Sequence, residues 1–291
     1  MTSAALGAHI QGVSAWVPLP DGRRLHAMVR PGTRPDGPTV VFEAGAGAGR
    51  SSWALVQPAV AAHARAVAYD RSGLGRSAPD PAGRTLTRMA DDLGALLDHF
   101  GPGPFVLVGH SAGGPLVRLA AARGPGRVVG LVLVDPTDEA ADVLFSSRFR
   151  RMERVALAVG RTLAALGLLR PLFRGRLALL PEDARRDMAR EGFTSEVLRT
   201  QRRQARTYLD ELAAWRDAPP DTGDIPVTVI SGGLPGDGMD RALRAAANTS
   251  HAHRADRAPT GRHVVAAKSG HYVPLTEPEL VVREILALLP G

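Results

Sequence analysis

The stretch PFVLVGHSAGGPLVRLA, residues 104–120, decides the reading of this chain. Its first part, Phe105 to Val108, is a short apolar run of aromatic and β-branched residues, the composition of a strand buried on both faces. From Pro115 onward it has a proline suited to a first helical turn, followed by good helix formers. Between the two, Gly109, Ser111 and Gly113 form a G-x-S-x-G turn. In a chain with 32 glycines the bare pattern is weak; the strand before it and the helix after it make it specific. A sharp strand-to-helix turn leaves little room for neighbouring Cβ atoms, which accounts for glycine at 109 and 113. The same turn projects the Ser111 hydroxyl at a helix N-terminus, where free N–H groups favour developing negative charge. Ser111 is the candidate nucleophile.

Outward from this stretch the same alternation recurs. Buried apolar runs stand at 39–42, 66–69, 131–134, 227–230 and 264–266, separated by helical stretches, and residues 9–30 read as two strands around the turn Pro20-Asp21-Gly22. In one helical stretch Met89, Leu93, Leu96 and Phe100 fall on a single face. The expected fold is α/β, a mostly parallel, doubly wound sheet of about eight strands. Residues 136–224 show no convincing strand and are expected to form a helical cap, inserted into a core domain made of residues 1–135 and 225–291. Within that cap Arg199, Arg202, Arg203 and Arg206 read as a solvated basic face opposite Val197, Ala205, Tyr208 and Leu212. Arg150, Arg154 and Arg161 form a narrow stripe on another helix, read as a lid over a pocket that Leu, Val and Phe of cap stretches such as 155–180 are expected to make apolar.

The formal net charge is +7, and all the basic residues are arginine except Lys268. Residues 148–206 hold 15 arginines against 6 carboxylates, so an anionic partner would meet that segment first. The segment lacks an aromatic platform or a recognisable nucleic-acid module, and no nucleic-acid partner is expected. Contact of this basic cap with anionic lipid stays open. The most apolar run, 155–180, is broken by Arg161, Arg170, Pro171, Arg174 and Arg176, so no transmembrane segment is expected. Residues 1–11 lack the features of a secretory leader, which points to the cytoplasm. Absence of cysteine excludes disulfides, thiolate metal sites and a cysteine nucleophile. The run Gly45, Gly47, Gly49 fails the spacing of a phosphate or dinucleotide loop, and neither cofactor nor metal is expected.

Three segments together resemble the α/β-hydrolases: the Ser111 turn, VFEAGA at 41–46 and YDRSGLGRS at 69–77. The likeness runs from about Val13 to the C-terminus. It implies an oxyanion hole made by the backbone N–H groups of Ala46 and Ala112; this chain has Ala44-Gly45 where many members have His-Gly, a change that touches no catalytic group. It also implies that His271, in Ser269-Gly270-His271 after the last strand, is the general base. His110 is structural in this reading, and Asp70 and Arg71 orient loops. For the triad acid the family pattern offers two residues, Asp135 at the end of the strand before the cap and Asp237 after the strand that follows it; Asp135 is favoured and Asp237 is the alternative.

The activity implied is hydrolysis of a carboxylic ester, lactone or thioester of a small apolar substrate through an acyl-enzyme on Ser111. Acyl transfer or perhydrolysis by the same triad, and a non-catalytic ligand-binding member of the fold, stay as alternatives. Because a neutral imidazole is required, the rate is expected to fall on acidification through a pKa near about 6.5. A flat profile between about pH 5 and 9 in an ester assay would count against His271 as the base.

Overall fold

The computed structural model of the chain describes residues 9–34 and 37–290. The absence of a leader at residues 1–11 is a reading that falls mostly on residues 1–8, outside this range. Eight strands form one sheet: β1 (Val13–Pro18), β2 (Arg24–Arg30), β3 (Thr39–Glu43), β4 (Arg65–Tyr69), β5 (Phe105–His110), β6 (Val128–Val134), β7 (Val227–Gly232) and β8 (Gly261–Ala266). Their order across the sheet is β1-β2-β4-β3-β5-β6-β7-β8. β1 and β2 pair antiparallel, β2 joins β4 antiparallel, and every pairing from β4 to β8 is parallel.

The parallel strands are apolar at consecutive positions because both faces are covered. Val41, Phe105, Leu107, Leu131 and Leu133 face one layer with Leu93, Leu96 and Val117 from the helices Leu86–Phe100 and Gly113–Arg123. Val40, Phe42, Val106, Val108 and Val132 face the other, with Trp53, Val60, Val281 and Ile285. Each such side chain taken fully out of water contributes roughly 1.5–3 kcal/mol before chain entropy is set against it. The Met89, Leu93, Leu96 stripe is buried as its spacing predicts, and Thr85 caps that helix by accepting from Arg88 N at 3.1 Å.

The chain leaves β3 to one side to make β4 and returns on the other to make β5. This reversal places a crevice beyond the carboxyl ends of β3 and β5, where open α/β sheets bind ligands. The segment between β6 and β7 contains helices and no strand, with Ser147–Ala165, Glu182–Glu191, Ser195–Gln204 and Tyr208–Ala214 as its longer helices. The one helix expected to carry Arg199, Arg202, Arg203 and Arg206 opposite Val197, Ala205, Tyr208 and Leu212 is divided: it stops at Gln204, and a second one begins at Tyr208. Val197, Tyr208 and Leu212 are nonetheless buried. Among the described residues no helix is long and apolar enough to cross a membrane.

His110, the last residue of β5, ties two distant loops together. Its Nε2 lies 2.9 Å from the His271 carbonyl oxygen, which can only accept, so this nitrogen carries the proton. Burial, helped by the neighbouring His271 ring, pushes the His110 pKa down to about 3. An unfolded chain protonates this histidine near about 6.5. Its neutral burial therefore supports the fold fully above that pH and is lost as pH falls toward 3. Urea unfolding of wild type should weaken in this window with a contribution of up to about 1.4 kcal/mol per pH unit from this one group. His110→Asn, which keeps a donor but no titrating group, should flatten that dependence; an unchanged slope would remove His110 as its source.

Candidate active site

Ser111, Asp135 and Asp237 are the three non-glycine residues with positive φ among those described, at 53°, 42° and 56°. Such backbone costs of order 1–3 kcal/mol and persists only where the surroundings enforce it. At Ser111 they do. A Cβ on Gly109 would stand 2.7 Å from Gly113 O and from Val117 Cγ2, and one on Gly113 would stand 2.7 Å from the carbonyls of Glu43 and Ala44. The elbow is thus wedged between its own helix and the end of β3. Ser111 N donates to Val134 O at 3.0 Å, which anchors the turn to β6.

The loop after β3 is held by a buried arginine. Arg71 donates to Glu43 Oε1, to Ala44 O and to Gly45 O, each at 2.5 Å. Tyr69 donates to the other oxygen of Glu43. Asp70 accepts from Arg50 N at 2.9 Å. These contacts match the reading of Asp70 and Arg71 as loop-orienting residues. A Cβ on Gly49 would lie 2.5 Å from Asp70 Oδ1, which accounts for glycine at that position. Among the described residues, the backbone N–H groups of Ala46 and Ala112 donate to no acceptor. Ala112 precedes the helix Gly113–Arg123, and Tyr208 donates to its carbonyl at 2.9 Å from the helical segment above.

Asp135 and His271 meet at the crevice. His271 Nδ1 lies 2.6 Å from Asp135 Oδ2. An ionised carboxylate only accepts, so Nδ1 carries the proton and Nε2 keeps a free lone pair. Asp135 Oδ1 accepts from Gly232 N at 2.9 Å and from Arg244 Nη1 at 2.5 Å. Although burial opposes ionisation, the donors from His271 and Arg244 hold the Asp135 carboxyl well below the usual carboxylate range. Asp237 takes another role: its Oδ2 accepts from the His271 backbone N at 3.2 Å, and its Oδ1 pairs with Arg176. Of the two candidate acids, Asp135 touches the imidazole and Asp237 supports the peptide behind it.

Ser111, Asp135, Asp237 and His271 all line one cavity of about 310 Å³. Its apolar wall comes from Leu144, Phe149, Met152, Met239 and Leu243. This corrects the expectation that residues 155–180 would line it. From that run only Ala156 reaches the cavity, while Val155, Val159, Leu166, Leu168 and Leu172 are exposed on the outer surface. The 3.6-residue periodicity identifies an amphipathic helix but not which neighbour its apolar row meets.

No sequence motif marks Arg244 or His251. They occupy one face of the helix Arg241–Asp256 with Ala247 between them, and all three are buried. His251 Nε2 donates to Pro136 O at 2.8 Å, and its Nδ1 lies 2.8 Å from Ser231 Oγ. Burial lowers its pKa and keeps it neutral. Arginine and histidine at i and i+7 on a face otherwise made of small residues such as Ala247, Ser250 and Ala255 were the signal available. Among the described residues, no group of three or more His, Asp and Glu side chains is placed to hold a metal ion.

Known proteins share this architecture. A Gibberella zeae protein named as belonging to the AB hydrolase superfamily is 28% identical over 94% of this chain and 93% of its own length. Lipase LipV of Mycobacterium tuberculosis is 44% identical over 91 residues, 31% of this chain and 33% of LipV. The chain spans about half the length of another curated relative it matches, 49% of YqjL from Bacillus subtilis. Among solved structures, the epoxide hydrolase CorEH superposes with a TM-score of 0.71 at 20% identity, covering 95% of this chain and 98% of that one. The family described as alpha/beta hydrolase fold matches residues 38–278, and with the eight-stranded sheet and its elbow at the switch point this chain belongs to it.

Proposed function

We propose that the protein is a serine hydrolase of carboxylic esters, lactones or thioesters with a small apolar acyl or alcohol group. The observation that carries this reading is the 2.6 Å contact between His271 Nδ1 and Asp135 in the cavity that Ser111 also lines. In this mechanism His271 Nε2 takes the proton of Ser111 Oγ, and the alkoxide attacks the carbonyl carbon. The free N–H groups of Ala46 and Ala112 receive the oxyanion. His271 then protonates the departing alcohol, and water, activated by the same nitrogen, hydrolyses the acyl-enzyme. Asp135 stays ionised throughout, holding the imidazole in its reactive tautomer and stabilising the imidazolium. Residues 136–224 act as the cap, with residues 1–135 and 225–291 as the catalytic domain. A serine at 111 favours acyl chemistry over the alkyl-enzyme route of relatives with an aspartate there, and the apolar cavity wall favours an uncharged substrate.

Hydrolysis of p-nitrophenyl esters across acyl lengths tests the reading. Ser111→Ala should abolish enzymatic turnover, and Asp135→Asn should lower kcat by about 10³- to 10⁴-fold. Asp237→Asn should cost less than about tenfold, because it loosens a loop and leaves the imidazole's partner in place. A larger loss in Asp237→Asn than in Asp135→Asn would transfer the acid role to Asp237. If wild type is acylated by a fluorophosphonate yet releases the ester's acyl group only to an added alcohol, the protein is an acyltransferase. If it takes no label, it is a binding protein.

Arg244 gives a second test. Its guanidinium sits on Asp135, so it offsets part of the charge that stabilises the imidazolium. The other groups facing this pair are His110 and His251, both neutral through burial, and Asp237, which is paired with Arg176. Arg244→Gln should move the acid limb of the pH–rate profile upward by roughly one unit. A limb that stays in place while kcat falls would reduce Arg244 to packing.

A further inference from the structure

The helix Ser147–Ala165 presents one side to the Ser111 cavity and another to a separate groove against the helix Ser195–Gln204. The groove encloses about 490 Å³. Arg150, Arg154 and Arg161 line it from the first helix, and Arg202 and Arg206 from the opposite side. Leu157 and Leu209, both buried, form an apolar floor. Glu153 is the one acid in its wall, half-buried and shared with the Ser111 cavity.

Among the described residues, four of the five arginines of this groove have no ion-pair partner. Arg150 pairs with Asp210 at 2.6 Å. Arg154 donates only to the Arg150 carbonyl, at 3.3 Å. Among the described residues, Arg154, Arg161, Arg202 and Arg206 have no carboxylate within ion-pair distance. These four are exposed to solvent, whereas arginines buried in the core, such as Arg118 with Glu139 at 2.6 Å and Arg50 with Asp70 at 2.5 Å, are ion-paired. Like charges converging on a cleft with low-dielectric walls repel one another and focus a positive potential into it. An anion bound between them removes that repulsion.

We propose that this groove binds a small molecule carrying a diphosphate, or two neighbouring phosphates, with its apolar portion resting on Leu157 and Leu209. A single carboxylate would engage one guanidinium fork and leave the others facing each other. Adjacent phosphates offer enough oxygens for forks arriving from both helices, the geometry in which arginine exceeds lysine. The enclosed volume suits a ligand of nucleotide size. This inference stands independently of the Ser111 chemistry, since none of the five arginines lines that cavity.

Titration calorimetry on the intact chain at about 0.15 M salt, with inorganic pyrophosphate and with ADP, tests it. The expected result is saturable binding at one site per chain, weakened at least about tenfold in Arg154→Gln/Arg202→Gln with an unchanged melting temperature. Arg185→Gln/Arg186→Gln removes two exposed charges outside the groove and should leave binding intact. Absence of saturable binding, or equal loss in both double variants, would overturn the proposal. Binding to phosphatidylglycerol vesicles without binding of pyrophosphate or ADP would also overturn it, making the arginines a lipid contact.

Discussion

A carboxylate withdrawn from water organises the carboxyl end of this sheet. Asp135 is almost wholly buried, yet it faces three donors from three different parts of the chain: Gly232 at the end of β7, Arg244 on the following helix and His271 beyond β8. An isolated buried charge would cost several kcal/mol, so each donor is a condition for the charge to exist there. The requirement works in both directions. Asp135 needs the loops in place, and the loops after β7 and β8 are held in register by it. Its left-handed backbone, with N donating to Ile230 O at 2.6 Å, turns the side chain toward β7 and β8.

Around that charge the remaining polar groups are arranged to stay neutral or paired. His110 and His251 are buried, lose their tendency to protonate, and serve as donors to the carbonyls of His271 and Pro136. Arg71 neutralises Glu43 while fixing the carbonyls of Ala44 and Gly45. In the same loop the Ala46 N–H donates to no acceptor among the described residues, while Ala48 N donates to Gly45 O at 3.2 Å. The site therefore has two kinds of histidine, one with a free lone pair at the cavity and two whose Nε2 is engaged by a backbone carbonyl of the framework.

The sheet and the elbow were legible because they rest on local rules. Strands covered on both faces need consecutive apolar residues, and the turn at Ser111 needs glycine wherever a Cβ would strike backbone. His271 was legible from its place after the last strand. Choosing between Asp135 and Asp237 was harder, because both stand at strand exits among turn residues, and which carboxylate meets a ring 136 or 34 positions away is set by tertiary geometry. Arg244 was missed because arginine in a helix reads as a solvated residue in an arginine-rich chain. The cavity wall was misplaced for a related reason: the apolar row of residues 155–166 looks the same in sequence whether it faces a pocket or the outside.

The strand order has a consequence for how this protein comes to exist as a working molecule. Ser111 follows β5, Asp135 follows β6, and His271 follows β8, with the ninety-odd residues of the helical segment intervening between β6 and β7. All the pairings that join them are parallel and long-range, the kind that close late because chain entropy must be overcome before contacts form. An intermediate that has built only the N-terminal half of the sheet presents Ser111 on its turn without the imidazole or the guanidinium that belong beside Asp135. On the proposed chemistry, competence is thus confined to chains that have finished folding, and newly made or partly unfolded copies would carry an inert serine.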